Sequence, residues 1–512
     1  IELIMTSTKV VIVGAGFAGV TAAAWLLKNG IKDVVILEAQ DYIGGRVKAE
    51  VVDGKNLDLG AQFVHGKDGN TAYDIAEKIG ITIFPDTSEN NHLVNIPAQF
   101  LTPHGEKISP EEANGLLNFL FERTHKEAVD DIDIDDRGHS EGECYEKAYR
   151  EYLAKYGRNL SRRQRELMDA IYKWFCGYQT IDSAAADLTE LSEWALRIYK
   201  VLPGPRFTYV DGGITEILKA VVRLLPREII RLNTPVTNIN WTNAKSPDSG
   251  KVSVTCDNGE TFLADHVIVT TSIGYLQAKH QQLFTPQLPL SAQTAINNLG
   301  FGGIGKLFIK WDKPFVGYTQ TPYGEVQGYD FLWLDSKPVA LLSDRCPLKT
   351  RYGKPWWYGV HAAETVRGSP NILELWLNKY QAEIVEGLDE AELKAVCHEL
   401  IQTLFKDLKV PVPAQVYRTT WITNPYFRGT YSFISSKVRK QDLKHLGQPL
   451  PSVSNPRVLF AGEGFANGFI STIHGAILTG QAQADLILKS KGTQPTGQLL
   501  DMFSSSIGKS KL

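Results

Sequence analysis

A chain of 512 residues, 43% hydrophobic and 22% charged with a formal net charge of −3, is long enough for two cores and has the balance of a globular protein rather than a collagenous, disordered or membrane one. That charge gives no electrostatic footprint for nucleic acid. The five cysteines, Cys144, Cys176, Cys256, Cys346 and Cys397, are scattered, odd in number and without a CxxC pair, which argues against a disulfide framework or a zinc site and fits a reducing compartment; no metal is expected.

Residues 1–4 precede Met5 and are set aside as a remnant outside the fold. The β-branched run 9–13 predicts a strand, 14–19 a glycine turn, 20–29 a helix and 33–37 a second strand ending in Glu38, together a βαβ unit. The apolar stretch 10–27 is broken by glycines and lacks a basic leader and a cleavage site, so neither a signal peptide nor a membrane span is expected. In Gly14-x-Gly16-x-x-Gly19, with Phe17 and Ala18 opening the helix, the first glycine permits a tight turn, the second lets backbone approach a pyrophosphate and the third lets helix and strand pack closely. Helix N-terminal amides then face the phosphates. Glu38 sits near the ~20-residue offset at which a carboxylate accepts from ribose hydroxyls, and its charge disfavours a 2′-phosphate. The continuation Gly44-Gly45-Arg46 folds back over the pyrophosphate, with Arg46 as a fixed counterion.

From 85 to 203 the pattern is mostly helical and charged, with an acidic surface excursion at 130–143. Strand character returns near 207, and Asn258-Gly259 between alternating apolar runs predicts a hairpin. Residues 276–414 mix strand-like runs such as 306–311 with a long helical pattern at 372–405, and 457–464 with 469–488 reads as strand, glycine turn and helix. After 491 the chain turns Ser-rich and ends in Ser510-Lys511-Leu512, the peroxisomal address.

With the Gly-Gly-Arg continuation the chain resembles the flavin amine oxidase family, and the resemblance recurs along nearly its whole length. Leu59-Gly60-Ala61-Gln62-Phe63-Val64-His65-Gly66 is similar to the family's flavin-contacting segment, and Asn233-Thr234-Pro235-Val236 to the strand whose Val236 backbone meets the adenine. Residues 264–270 resemble its next strand, Asn424-Pro425-Tyr426 through Gly429 and Tyr431-Ser432 its substrate-side aromatic turn, and Leu459-Phe460-Ala461-Gly462-Glu463 with Ser471-Thr472-Ile473-His474-Gly475-Ala476 its C-terminal flavin motif. The Val-His-Gly and Ser-Thr-x-His-Gly-Ala wordings resemble the polyamine oxidases of animals and fungi more than monoamine oxidases. Two departures stand out. The aromatic turn carries no cysteine, so the resemblance implies non-covalent FAD, and Gly464-Phe465-Ala466 replaces the small residue, Thr and His of many polyamine oxidases.

The fold expected is α/β with α+β: a Rossmann-like FAD-binding domain interleaved from 5–85, 205–275 and 415–490, a substrate-binding domain from 86–204 and 276–414, and a flexible tail at 491–512. The resemblance implies that a neutral secondary amine of a polyamine, acetylated or free, gives up hydride to flavin N5, yielding an aldehyde, a shorter amine and, with oxygen, hydrogen peroxide. It makes Lys306 a lysine reaching N5 through a water, Tyr431 a wall of the substrate channel and Glu463 a residue of the ribityl or phosphate side. Neutral His65 is placed to accept from the substrate amine. Because polyamines are cations, Asp187, Glu190 and Glu193 are candidate substrate carboxylates; Lys173-Trp174-Phe175, where a carboxylate is expected, favours an acetylated polyamine with an apolar end. The tail implies an import receptor as partner and the peroxisome as location, with the cytoplasm as the other. Monoamine oxidase, lysine demethylase and a non-enzymatic protein stabilised by FAD remain the alternatives.

Overall fold

The computed structural model describes residues 5–85, 98–127, 139–241, 251–317, 319–321, 324–339 and 355–503. Two sheets position everything else. The first has nine strands, and its centre is parallel: Met5–Val13 lies between Val34–Leu37 and Thr261–Val269, with Ile230–Arg231 and Asn455–Phe460 outside these. Val10, Val11 and Ile12 are fully buried, because Val10 and Ile12 face a core shared with helices Phe17–Lys28 and Ile473–Ser490 while Val11 and Val13 face a second core on the other side. A parallel strand covered on both faces reads as an unbroken apolar run. The chain passes from Met5–Val13 to Val34–Leu37 on one side, while Thr261–Val269 on the other side comes from far along the chain, so the glycine turn at the strand's end opens a crevice between them.

The predicted hairpin forms between Val252–Cys256 and Thr261–Val269 around Gly259 in a positive-φ turn. Only the first half of the long strand pairs there. Its second half pairs with Asn455–Phe460, which draws the C-terminal segment into the first sheet.

The second sheet has seven strands, in the order Gln415–Arg418, Ile304–Lys310, Ser369–Asn378, Val360–Val366, Gly328–Phe331, Ala98–Leu101 and Lys107–Ile108. One face carries Leu307, Ile309, Leu373, Leu375 and Leu377 into a core with helix Glu390–Leu404. The alternate positions, Lys306, Phe308, Glu374 and Trp376, lie on the other face, where Phe308 packs on Val52 and Leu57 of the N-terminal segment. Helices Glu141–Tyr156 and Arg162–Ser183, each started by a serine capping box, pack with Pro110–Glu127 beside this sheet.

Three local expectations change. Residues 372–378, read as helix, are strand, since apolar residues on both faces look alike in a buried strand and a buried helix. Phe284–Thr285 joins the first sheet and Gln415–Arg418 the second, each on the far side of its expected boundary. Residues 128–138 of the acidic excursion, Cys346 and Ser510-Lys511-Leu512 lie outside the described residues. Among those described, no helix is long and apolar enough to cross a membrane.

Candidate active site

The crevice is built from close approaches that side chains would block. A Cβ on Gly14, at φ +108°, would stand 2.4 Å from Thr270 Oγ1, and one on Gly19 would stand 2.0 Å from the Gly14 carbonyl oxygen. Helix Phe17–Lys28 begins at Gly16 with no side-chain cap, which leaves its first amides for an anion. Glu38 is buried at the end of its strand and accepts from Ala15 N at 2.7 Å and Gln40 N at 2.9 Å, tying the glycine turn to the neighbouring strand. Burial raises its pKa against the lowering effect of those backbone donors. Further acceptor positions remain on the carboxylate for hydroxyl groups.

Arg46 closes the opposite side. Its Nη1 donates to Thr430 O at 2.7 Å and Glu463 Oε1 at 2.8 Å. The Glu463 carboxylate also accepts from Ser432 Oγ at 3.0 Å and Ser471 N at 3.0 Å, so one ion pair ties the Gly-Gly-Arg loop, the aromatic turn and the C-terminal segment together. Thr472 caps helix Ile473–Ser490 by accepting from Gly475 N at 2.8 Å.

The crevice continues into a cavity of about 710 Å³ bounded by both sheets and the helices beside the second. Lys306, 4% exposed, reaches it from the second sheet: Nζ donates to Asp58 O at 3.0 Å and to Gln62 Oε1, and lies 4.6 Å from the Trp376 ring centroid. Glu374 Oε1 is 3.3 Å away, at ion-pair distance but without hydrogen-bond alignment, while Glu374 Oε2 accepts from Gln62 Nε2 at 3.1 Å. Phe63 sits among Tyr209, Phe207 and Trp376. His65 Nδ1 is 2.9 Å from Arg206 O; a carbonyl only accepts, so Nδ1 carries the proton and neutral Nε2 is an acceptor. Burial lowers its pKa, which keeps the ring neutral. The Tyr431 hydroxyl donates to Ile181 O and is held protonated by burial, and the residue lines the cavity.

The match to the model of flavin containing amine oxidoreductases extends over residues 17–488. The chain belongs to that family. It is a flavin-dependent amine oxidoreductase with FAD as cofactor. It is 28% identical over 504 residues to the "Peroxisomal N(1)-acetyl-spermine/spermidine oxidase" of Bos taurus, covering 94% of both chains. The human protein of the same name matches at 28% over 507 residues, again covering 94% of each, and "Probable polyamine oxidase 5" of Arabidopsis thaliana at 26% over 549 residues, covering 94% of this chain and 98% of that one.

The residues present fit FAD. The glycine cradle, Glu38, the free helix amides and Arg46 supply the acceptor, donors and charge that a dinucleotide requires. Val236, Gly60, Ala61, Ile473 and Thr472 line the same continuous cavity, as do Phe17 and Ala18. Among the described residues no cysteine lines it.

Of the oxidoreductase's predicted site residues, four lie elsewhere. Gly19 packs helix against turn and does not line the cavity. Asp187, Glu190 and Glu193 are not brought to it either. Asp187 caps a short 3-10 turn by accepting from Thr189 N at 2.9 Å, Glu190 is exposed, and Glu193 accepts from His139 N at 3.0 Å. Besides Glu38 and Glu463, the carboxylates that line the cavity are Glu141, Asp182, Asp330 and Glu364. Asp182 is paired with Arg206 at 2.9 Å. Of Lys173-Trp174-Phe175, Lys173 pairs with Asp335 at the surface and Trp174 lines the cavity.

Proposed function

We propose that this enzyme oxidises a polyamine at a secondary amine, converting the amine, oxygen and water into an aldehyde, a shorter amine that keeps the nitrogen, and hydrogen peroxide. The observation that carries the reading is the shape and lining of the cavity. It runs on from the nucleotide crevice past Lys306, His65 and Tyr431 to buried carboxylates on strands Gly328–Phe331 and Val360–Val366, a form suited to a long, flexible polycation. The names of the bovine and human relatives point the same way.

Bound flavin supplies the two-electron acceptor for the C–H bond beside the nitrogen and passes the electrons to oxygen. The chain's own groups prepare the amine. Only the neutral amine has the lone pair that drives hydride loss, and His65 Nε2 accepts its N–H or its proton while the bond from Nδ1 to Arg206 O fixes the tautomer. Lys306 fixes Gln62 and the Asp58 carbonyl beside the flavin-contacting segment and supplies positive charge where oxygen is reduced. Tyr431 and the Phe63 cluster exclude water. Release of peroxide suits a peroxisomal enzyme, and the C-terminal Ser510-Lys511-Leu512 is the address we assign to an import receptor. The test is anaerobic mixing with a panel of polyamines and monoamines while following loss of the oxidised flavin absorbance. Bleaching by polyamines is expected; bleaching by monoamines alone, or by none, would overturn the reading.

A further inference from the structure

The sheet face that looks into the cavity carries more carboxyl groups than the chain pairs with cations. Register places Glu364 opposite Glu374 and Gly328 opposite Glu364, with Asp330 two residues along on the same face; Lys306 lies opposite Trp376, diagonal to Glu374. Same-face neighbours across a ladder stand about 5 Å apart directly and about 7–8 Å diagonally. Asp330, Glu364, Glu374 and Lys306 therefore form one row. Lys306 is engaged by Glu374. Asp330 and Glu364 are 3% and 8% exposed and form no ion pair among the described residues; their donors are the indoles of Trp174 and Trp376, the first already committed to His361 O at 3.1 Å and the second 3.5 Å from Glu364.

A second set of observations is independent of these carboxylates. The Tyr178 hydroxyl and His361 Nδ1, both deeply enclosed on residues that line the same cavity, have no hydrogen-bond partner, and neither has Glu141 Oε1. Every one of these atoms can accept a hydrogen bond. Trp174 and Tyr178 stack at 5.8 Å beside them, presenting aromatic faces. Unmet acceptors, unpaired carboxylates and stacked rings call for one ligand chemistry, a cation rich in N–H donors. They do not form a metal site: no group of side chains suited to hold an ion occurs among the described residues.

We propose that Asp330 and Glu364, with Tyr178 and the Trp174 face, form the subsite that receives the free terminal ammonium of the substrate, at the end remote from the reacting nitrogen. The assignment rests on the polyamine reading and adds where the substrate's charge is read. Three strand spacings separate the strand of Lys306 from that of Asp330, or about 14 Å, a span that a triamine or tetramine bridges and a small monoamine does not. The preferred substrate accordingly keeps one terminal amine unacetylated, whatever the state of the other.

The test compares monoacetylspermine with diacetylspermine, whose terminal nitrogens are both neutral, on the holoenzyme and on Asp330→Asn and Glu364→Gln. The wild-type enzyme should show a KM about tenfold to a hundredfold lower for the monoacetylated compound, the range of a charge-assisted hydrogen bond, and each variant should collapse that preference through KM more than through kcat. Equal KM values for the two compounds in the wild type, or a preference that survives both substitutions, would overturn the subsite. A binding measurement covers poorly folding variants: hexamethylenediamine should perturb the wild-type flavin spectrum at concentrations about tenfold or more below hexylamine, and equal concentrations would overturn the proposal. Bleaching by no polyamine would sink the functional reading. Bleaching without discrimination between charged and neutral ends would sink the subsite alone.

Discussion

Replacing Lys306 by Met removes an ammonium while keeping a stem of similar shape, and two consequences can be separated. The first is stability. Lys306 and Glu374 are 4% and 2% exposed with 3.3 Å between Nζ and Oε1, and removing one partner of a buried pair costs about 3–5 kcal/mol when the other stays charged. Glu374 need not stay charged: burial already raises its pKa, and Lys306 is the largest influence holding it down. Once it takes up a proton, the cost falls towards the loss of the bonds to Asp58 O and Gln62 Oε1, about 1–3 kcal/mol. The double variant Lys306→Met/Glu374→Gln should therefore melt at or above the single. The second consequence is rate. A preorganised charge is worth about 3 kcal/mol, roughly a hundredfold, and Glu374→Gln should not restore it. Stopped-flow measurement of both half-reactions locates the loss, in the oxidative half if the ammonium serves oxygen and in the reductive half if it orders the substrate. Should neither rate change by more than about twofold, Lys306 is a structural ion-pair residue and its assigned role is wrong.

Glu38→Ala should weaken FAD binding by about 1–3 kcal/mol, measured by titrating apoprotein with FAD; unchanged affinity would remove the ribose assignment. Denaturation without proteolysis should release all the flavin, and colour that stays with the unfolded chain would contradict the absence of cysteine from the cavity. Without amine ligand, stability should fall as pH rises. Burial pushes Asp58 and Asp330 up to about 7 and Glu141 up to about 8, and raises Glu364. A carboxyl whose folded pKa exceeds its unfolded value contributes stability that is full below about pH 4 and is lost on rising through about 7 to 8. Melting temperatures that stay level or climb from about pH 5 to pH 8 would refute those shifts. Deleting Ser510-Lys511-Leu512 should abolish peroxisomal import and leave turnover intact, as read by imaging and peroxide assay; import that persists would make the tripeptide incidental.

What was legible in the sequence was local. Gly14, Gly16, Gly19 and Glu38 fall within one βαβ unit, where each residue's task follows from its neighbours in the chain, and the structure gathers all but Gly19 at one cavity. The substrate side was not legible in this way. Asp187 and Glu190 looked suitable because they are acidic and lie in the right segment, yet Asp187 is used to start a 3-10 turn, the task for which a short carboxylate before Leu-Thr-Glu is suited. Asp330 and Glu364 lie on separate strands, and only the pairing register shows that they share a face with Glu374 and Lys306. The sequence nevertheless contained a usable signal. Gly328-Tyr-Asp-Phe-Leu-Trp and Val360-His-Ala-Ala-Glu-Thr-Val each set one carboxylate inside a run otherwise composed for burial.

A carboxylate in such a run is costly unless something compensates it, so each raises the question of what lies opposite. For Glu374 the answer is in the chain: Lys306, on the adjacent strand, meets it at 3.3 Å. For Asp330 and Glu364 the described residues supply no cation, and burial holds both towards the protonated form until one arrives. A cationic substrate then does for the outer half of the row what Lys306 does for the inner half. Binding would displace protons from these carboxyls, and the number released should track the occupancy of the subsite. Calorimetric titration of the wild-type enzyme with hexamethylenediamine in buffers of different ionisation enthalpy should show net proton release near pH 7, reduced in Asp330→Asn. The same release from that variant, or none from the wild type, would mean that the ammonium does not meet this carboxyl.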